Sequence, residues 1–361
     1  MRKSTLVTWI FCLSCLGAAA AANSISLEGQ WRFQLDRGDV GIKERWCAND
    51  LREKIRLPGT LPGQGIGDPV SIDTKWIGGI VDRSWFIEPG YEKYRQPGNV
   101  KVPFWLTPET YYAGAAWYQR NINLPEAWSG KRVVLSLERP HWETRVWVDD
   151  KLIGTNTSLA TAHDYDLGRL TAGKHKLTIR VDNRMVVDIG ENSHSVSDHT
   201  QGNWNGIVGN IELRATPLVW LDDVQIDPDL AAKEVRVKAR VGNSTGQAVK
   251  LVVEAGMRAA KSAAAEFPVR RVDADVKPGG SMVEFDYDLS DRAADCRAWD
   301  EFNPALYDFA LALQNSAGGS VSDAKTVRFG FREISTEGTQ FILNGNKLFI
   351  RGTLDCCIYP K

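Results

Sequence analysis

Cysteine, histidine and methionine are scarce in this chain: six, five and four residues among 361. Cys12 and Cys15 fall in an apolar leader, which leaves Cys47, Cys296, Cys356 and Cys357 for the folded part. Four thiols in so long a chain do not make a disulfide scaffold. Cys356 and Cys357 are adjacent, and ordinary backbone geometry resists a bridge between neighbours. Buried thiols are therefore the expected state. No Cys-x-x-Cys pair follows the leader, so the usual zinc framework is missing, and neither a metal site nor a cofactor is expected.

An excess of charge of one sign is also lacking, with 44 basic against 45 acidic residues and a net charge of −1. No basic stripe able to neutralise several phosphates is present, so nucleic acid is not an expected partner. Long apolar runs are absent beyond the N-terminus. The run there, Leu6 to Leu16, is too short to span a bilayer, and no membrane span is expected. Preceded by Arg2 and Lys3 and followed by the small residues Ala18 to Ala22, it reads as an export signal over residues 1–22, which predicts a periplasmic or secreted protein. Cys15 raises lipoprotein anchoring as an alternative. It ranks second, because Cys12, Leu13 and Ser14 fit a lipobox poorly.

What is present is ordinary globular composition, 43% hydrophobic and 25% charged, over a length that implies about two domains. The apolar residues recur with period two. In His175 to Val181, Leu177, Ile179 and Val181 share one side while Lys176, Thr178 and Arg180 take the other; Val133 to Leu137 and Thr144 to Val148 behave alike. This is the pattern of strands with one buried face. Asp149 and Asp150, between Val148 and Leu152, tolerate the backbone angles of a tight hairpin and predict antiparallel neighbours. Short strands at this density point to a β-sandwich or jelly roll.

Pro217 marks a boundary, after which a second alternating series begins at Val224 and Ile226. It continues through Val235 to Val241, Val249 to Val253, Phe285 and Tyr287, Phe309 to Leu313 and Val327 to Phe331. Six or seven short strands in this span fit an immunoglobulin-like sandwich. Ahead of the first series, Pro58, Gly59, Pro62, Gly63, Gly65, Gly67 and Pro69 break regular structure. The aromatics that follow, Trp76, Trp85, Phe86, Tyr91, Tyr94, Phe104 and Trp105, argue for an ordered insert. It is expected to pack over one rim of the sandwich and to reach toward a sugar site or the next domain.

Ala116, Trp117, Tyr118, Gln119 and Arg120, then Leu124, Pro125, Trp128, Gly130, Lys131 and Arg132, then Val146, Trp147 and Val148, resemble the sugar-binding jelly roll that opens glycoside hydrolase family 2 enzymes. Gly29, Trp31, Phe33 and Asp36 before them, and Trp204, Gly206, Ile207, Ile211 and Leu213 after them, support the likeness. Trp299, Asn303, Pro304, Leu306 and Tyr307 are similar to a segment of that family's second domain. Phe341 to Gly352 is similar to the hairpin that leads into its catalytic barrel. The resemblance implies an all-β chain: a jelly-roll (galactose-binding-like) β-sandwich over residues 24–216, an immunoglobulin-like β-sandwich over 217–334, and a lead-in hairpin over 335–361. It implies a retaining β-glycosidase such as a β-galactosidase, β-glucuronidase or β-mannosidase, in which one glutamate protonates the leaving oxygen and another attacks the anomeric carbon.

Both glutamates belong to the family's barrel. A barrel takes roughly 250 residues, whereas fewer than thirty follow Glu333, and the chain has no Asn-Glu dipeptide of the kind that carries the family's acid/base. No catalytic residue is assigned. The expectation is a non-catalytic part that binds carbohydrate, with the barrel supplied in cis or in trans. A stand-alone carbohydrate-binding or adhesion module, and a structural spacer, are the rival readings.

Thirteen tryptophans offer flat rings for the apolar face of a sugar, although core packing uses the same residues. Carbohydrate binding needs such a surface and convergent polar groups. The candidates are Trp142 and Trp204 for stacking, with His141, Glu143, Asn156, His163, Asp198, His199, Gln201 and Asn205 for hydrogen bonds. The alternative is that His141 and Trp142 close a strand end and that Asp198 and His199 hold a loop together.

Overall fold

The computed structural model describes residues 23–78, 84–102, 108–260, 267–315 and 321–354. The export-signal reading, Phe104, Trp105, Cys356 and Cys357 lie outside them. The chain divides into two compact units, one ending at Thr216 and the other beginning at Pro217.

The first unit runs β1 (Ser24–Ser26), β2 (Gly29–Asp36), β3 (Glu53–Leu57), β4 (Gly59–Thr60), β5 (Asp68–Pro69) and β6 (Thr110–Tyr111). It continues with β7 (Ala115–Leu124), β8 (Arg132–His141), β9 (Glu143–Val148), β10 (Lys151–Asn156), β11 (His163–Gly168), β12 (Gly173–Asp182) and β13 (Gly206–Thr216). A six-stranded sheet in the order β10-β9-β12-β7-β2-β3 faces a sheet built on β1-β13-β8-β11, with β4 also paired to β13. The core between them takes Trp31, Phe33, Tyr118 and Leu213, together with Leu135, Leu137, Val146, Leu177, Ile179 and Val181 from the alternate positions that the period of two singles out. Lys151 pairs with Val148 across the hairpin, and Asp149 and Asp150 have φ of 45° and 70°, as a two-residue turn of this hand requires.

One expectation is corrected. The period of two predicts strands with one buried face, but on β12 the polar side is buried too, with Thr178 1%, Arg180 3% and Asp182 1% exposed. Segment 37–52 covers it. Asp36 starts the cover by accepting from the backbone N–H of Val40 (2.8 Å) and Gly41 (2.9 Å) and from Trp117 Nε1 (2.9 Å). Cys47 and Leu51 then pack with Trp117 and Trp147 into a second, smaller core. Buried charge survives there because it is paired: Arg180 donates to Glu143 (3.0 Å), Asp39 (3.0 Å) and Asp182 (2.8 Å).

The second unit contains β14 (Val219–Asp229), β15 (Glu234–Asn243), β16 (Val249–Ala259), β17 (Arg270–Val276), β18 (Ser281–Asp288), β19 (Tyr307–Asn315) and β20 (Val321–Phe329). They form a β14-β15-β18 sheet and a β17-β16-β19-β20 sheet around Val235, Val237, Val253, Phe285, Phe309 and Leu311. Strand β17 has no counterpart in the sequence reading. It is an edge strand whose Val272 and Ala274 are only half-buried, so its hydrophobic signal is weak. A meander of β21 (Ile334–Glu337), β22 (Gln340–Leu343) and β23 (Asn346–Leu348) follows. Asn344 and Gly345 form its turn with φ of 48° and 78°. The Asn344 amide also ties the turn down, donating to the carbonyls of Trp299 (2.8 Å) and Phe331 (3.1 Å). Cys47 and Cys296 are free and buried, and burial raises both thiol pKa values, that of Cys296 to about 11.

Candidate functional site

Strand β8 ends at His141, opposite Gly206 at the start of β13. Residue 206 must be glycine: φ is +149°, and a Cβ there would lie 2.4 Å from the Gly59 carbonyl oxygen. The register therefore brings the strand end His141-Trp142 beside the loop that carries Asp198, His199 and Trp204. The His141 and Trp204 rings stack, with centroids 4.7 Å apart and planes 27° apart. Trp204 is half-buried, whereas His141 is 4% exposed. Burial drives the His141 pKa down to about 4, against a smaller upward pull from the Asn203 side chain, so the ring is neutral near pH 7. Its Nε2 is buried without a hydrogen-bond partner, and so is Nδ1 of His199.

Asp198 holds this loop. Its Oδ2 accepts from the Ile77 N–H (2.6 Å) and the Tyr111 hydroxyl (2.5 Å), and its Oδ1 accepts from the Asn203 N–H (2.8 Å). The Asp198 N–H donates in return to the Ile77 carbonyl (2.9 Å), which ties the long insert to the 198–205 loop. Trp76 and Tyr111 pack at 4.7 Å beside this link. Burial raises the Asp198 pKa despite these donors, and it also pushes the Tyr111 hydroxyl well above its ordinary range. A carboxylate that accepts three hydrogen bonds across its two oxygens anchors the loop.

The amides of Asn183, Asn203 and Asn205 complete the frame. Asn183 Nδ2 reaches the Tyr112 carbonyl (2.8 Å) and Asn203 Oδ1 (2.8 Å); Asn203 Nδ2 reaches the carbonyls of Asn183 and Val196 (2.8 Å each). Asn205, fully buried, donates to the carbonyls of Gly114 (2.9 Å) and Val181 (3.0 Å) and accepts from the Tyr118 hydroxyl (2.8 Å). Its groups are spent inside the fold, so it does not face a ligand. Asn183, Asn203 and Tyr111 escape sequence reading. The one available signal is the polar triplet Asp182-Asn183-Arg184 where a core strand ends.

The remaining candidates lie apart from this rim. Trp142 is 2% exposed, with its N–H on the Arg184 carbonyl (2.7 Å), so it presents no open face for stacking. Glu143 sits in the ion-pair network under segment 37–52, accepting from Arg145 (3.1 Å) and Arg180 (3.0 Å). His163 is fully buried, with Nδ1 on Thr144 Oγ1 (2.6 Å) and Nε2 on the Ser158 carbonyl (2.7 Å), and burial lowers its pKa. Asn156 closes a turn by accepting from the Ser158 N–H (2.9 Å). The structure thus groups His141, Asp198, His199 and Trp204 and separates Glu143, Asn156 and His163 from them. The Gln201 side chain lies outside what the structure describes. Among the described residues no three His, Cys, Asp or Glu side chains are grouped to hold a metal ion, and no helix is long and apolar enough to cross a membrane.

A jelly-roll sandwich leading into an immunoglobulin-like one defines a modular all-β chain with a polar, aromatic rim on its first module. Residues 80–217 match the model for the sugar binding domain of glycosyl hydrolases family 2, and residues 219–332 match the model for glycosyl hydrolases family 2 that follows it. The chain belongs to glycosyl hydrolase family 2. It is 25% identical over 339 residues to a β-galactosidase of Arthrobacter sp. (strain B7), covering 92% of this chain and 29% of that protein. It is 20% identical over 346 residues to a β-glucuronidase of Paenibacillus borealis, covering 90% and 48%. Among solved structures, Bacteroides uniformis β-glucuronidase 2 aligns with TM-score 0.64 at 17% identity over 91% of this chain and 35% of that one. Ruminococcus gnavus β-glucuronidase aligns with TM-score 0.60 at 17% identity, over 91% and 48%. At such identity these likenesses show the fold. The chain spans about 29% of the length of the curated β-galactosidases it matches.

Proposed function

We propose that this chain is the carbohydrate-binding, non-catalytic part of an exported retaining β-glycosidase, and that its rim at His141, His199 and Trp204 contacts the sugar. The observation that carries the reading is that the segment matching the family's sugar-binding domain carries a half-buried indole, Trp204, stacked on the buried His141 imidazole. An indole face suits the apolar face of a pyranose. Asp198 and Asn203 position these groups. Hydrolysis of the O-glycosyl bond falls to two carboxylates of the catalytic domain that family 2 chains use, acting in cis or in trans. Export rests on Arg2, Lys3 and the run from Leu6 to Leu16.

Isothermal titration tests the reading, with methyl β-D-galactoside, β-D-glucuronide and β-D-mannoside added to the wild type and to a Trp204→Ala, His199→Ala double variant. Binding of one of these sugars, weakened about tenfold or more in the variant, is expected, since stacking and a hydrogen bond are each worth on the order of 1 kcal/mol. Equal affinity in both proteins refutes it. The chain alone is expected to release no chromophore from p-nitrophenyl β-glycosides.

A further inference from the structure

We propose that loop 185–195 is the aglycone subsite of this rim: Val187 and Ile189 receive an apolar aryl or alkyl group carried on the anomeric oxygen of the sugar that Trp204 contacts. The proposal rests on the carbohydrate-binding reading and adds to it the class of glycoside.

Loops are usually built from small polar residues, glycine and proline. Here Met185, Val186, Val187 and Ile189 put four apolar side chains into five positions outside any strand or helix. Met185 and Val186 are half-buried, while Val187 and Ile189 are 43% and 46% exposed. Apolar side chains gathered at one place in water mark a surface that a ligand or partner covers.

Hydrogen bonds fix this crest to the rim at both ends. On one side the Arg184 carbonyl accepts from the Trp142 indole (2.7 Å) and from the Val186 N–H (2.8 Å). Val187 is three residues from Arg184, so at most about 11 Å of chain separates it from that bond, and Trp142 is the residue next to His141. On the other side Ser193 Oγ donates to the carbonyls of Ile189 (2.7 Å) and Gly190 (2.5 Å). The Ser193 carbonyl accepts in turn from the Ser197 N–H (2.9 Å) and the Thr200 hydroxyl (3.3 Å). Ile189 is thus two hydrogen bonds from Thr200, the residue after His199. The insert backs the loop: at Gly78, with φ of +80°, a Cβ would lie 2.3 Å from Ser197 Oγ and 2.7 Å from the Glu191 carbonyl oxygen.

Size selects the occupant. Two exposed aliphatic side chains offer far less than the roughly 800 Å² per partner of a stable protein interface. They suit one phenyl ring or a short alkyl chain, and their tethers at Trp142 and Thr200 make them continuous with the sugar rim.

The test uses the full chain and whichever of galactose, glucuronic acid and mannose it binds as the methyl β-D-glycoside, compared by calorimetry with the phenyl β-D-glycoside of the same sugar. The wild type is expected to bind the phenyl glycoside roughly tenfold tighter, since the ring buries apolar surface. A Val187→Ser, Ile189→Ser double variant, changed only at exposed positions, is expected to lose most of that preference and to keep its affinity for the methyl glycoside. A second measurement needs no variant: in ¹H–¹³C methyl spectra of the wild type, the Val187 and Ile189 methyl signals should move with the phenyl glycoside and stay in place with the methyl one. The aglycone proposal is wrong, and the carbohydrate-binding reading stands, if the wild type binds both glycosides equally or if the variant keeps the preference, as it would were Trp204 to take the phenyl ring. Loss of methyl glycoside affinity in the variant also overturns it, because the loop then contacts the sugar itself. Self-association of the wild type that the variant abolishes assigns the crest to a second copy and overturns it too. If neither glycoside of any of the three sugars binds, both readings fail.

Discussion

The two sandwiches bury different things. Among the described residues the first unit buries fourteen polar or charged side chains and the second only three, Asn243, Glu254 and Asp308. The second unit is an alternating aliphatic and aromatic core in which the two buried carboxylates, Glu254 and Asp308, are paired with arginines that are themselves exposed. The first keeps paired charge beneath segment 37–52 and an amide network beneath the His141–Trp204 stack. Buried polar groups are tolerated only when satisfied, and once satisfied they define single side-chain positions. The lesson of the contrast is that the unit paying for internal polarity is the one that carries the candidate site.

Four outcomes would sharpen or break this contrast. The largest belongs to the apolar unit: Phe309, fully buried against Tyr287 and Phe329, should cost about 3–5 kcal/mol when changed to Ala, through the cavity it leaves. Calorimetry should show that loss in one transition. Next comes Arg180→Ala, which strands Asp182 and Glu143, 1% and 9% exposed at their side chains. Its expected cost is about 3 kcal/mol, at the low end for a broken buried pair because Arg184 also holds Asp182. It should lower a different transition from Phe309→Ala. A single shared transition, or a cost below about 1 kcal/mol, would break the comparison.

The third outcome concerns acid. All five histidines lie between residues 141 and 199, and none lies in the second unit. Burial lowers the folded pKa of His141 to about 4 and lowers that of His163, so between pH 6.5 and 4 the unfolded chain binds more protons than the folded one. Stability from these rings is complete above about pH 6.5 and is lost as pH falls toward 4. For His141 the loss from pH 7 to pH 5 is about 2 kcal/mol. His175 works the other way: beside Asp149 its pKa is raised, and its contribution is lost as pH rises, but it is paired with a half-exposed carboxylate and counts for less. Burial also raises the pKa of Asp198 and of half-buried Asp323, one in each unit, and both favour acid. Cooling of the Arg180-sensitive transition at pH 5, with the Phe309-sensitive one in place, is the expected result. The smallest effect is Trp204→Ala. A half-buried ring stacked on one neighbour should cost about 1 kcal/mol or less in stability while removing sugar binding, and a larger loss of stability than of affinity would make Trp204 a structural residue.

Much of the fold was legible because period two survives burial: Leu177, Ile179 and Val181 on β12, and Val235, Val237, Ala239 and Val241 on β15, all reach their cores. Strand β17 was not legible, since an edge strand needs few apolar residues to stay paired. The site was half legible. Asp198, His199 and Trp204 stand in a polar segment and His141 at a strand end, but Asn156 and His163 stand at strand ends too, and composition does not distinguish an imidazole with both nitrogens bonded from one with a nitrogen unmatched.

The chain order of apolar and polar residues was enough by itself to determine two β-sandwiches, the Asp149-Asp150 and Asn344-Gly345 turns and the family, because strand faces and turn angles are local properties. Tertiary structure alone decided that Arg180 is buried, that Asp198 anchors a loop 121 residues away at Ile77, and that His141 lies against Trp204. Each of these depends on which distant donor or ring meets which acceptor across the sheets, and hydrogen-bond partners separated by so much chain are chosen by register and packing, not by any residue's neighbours in sequence.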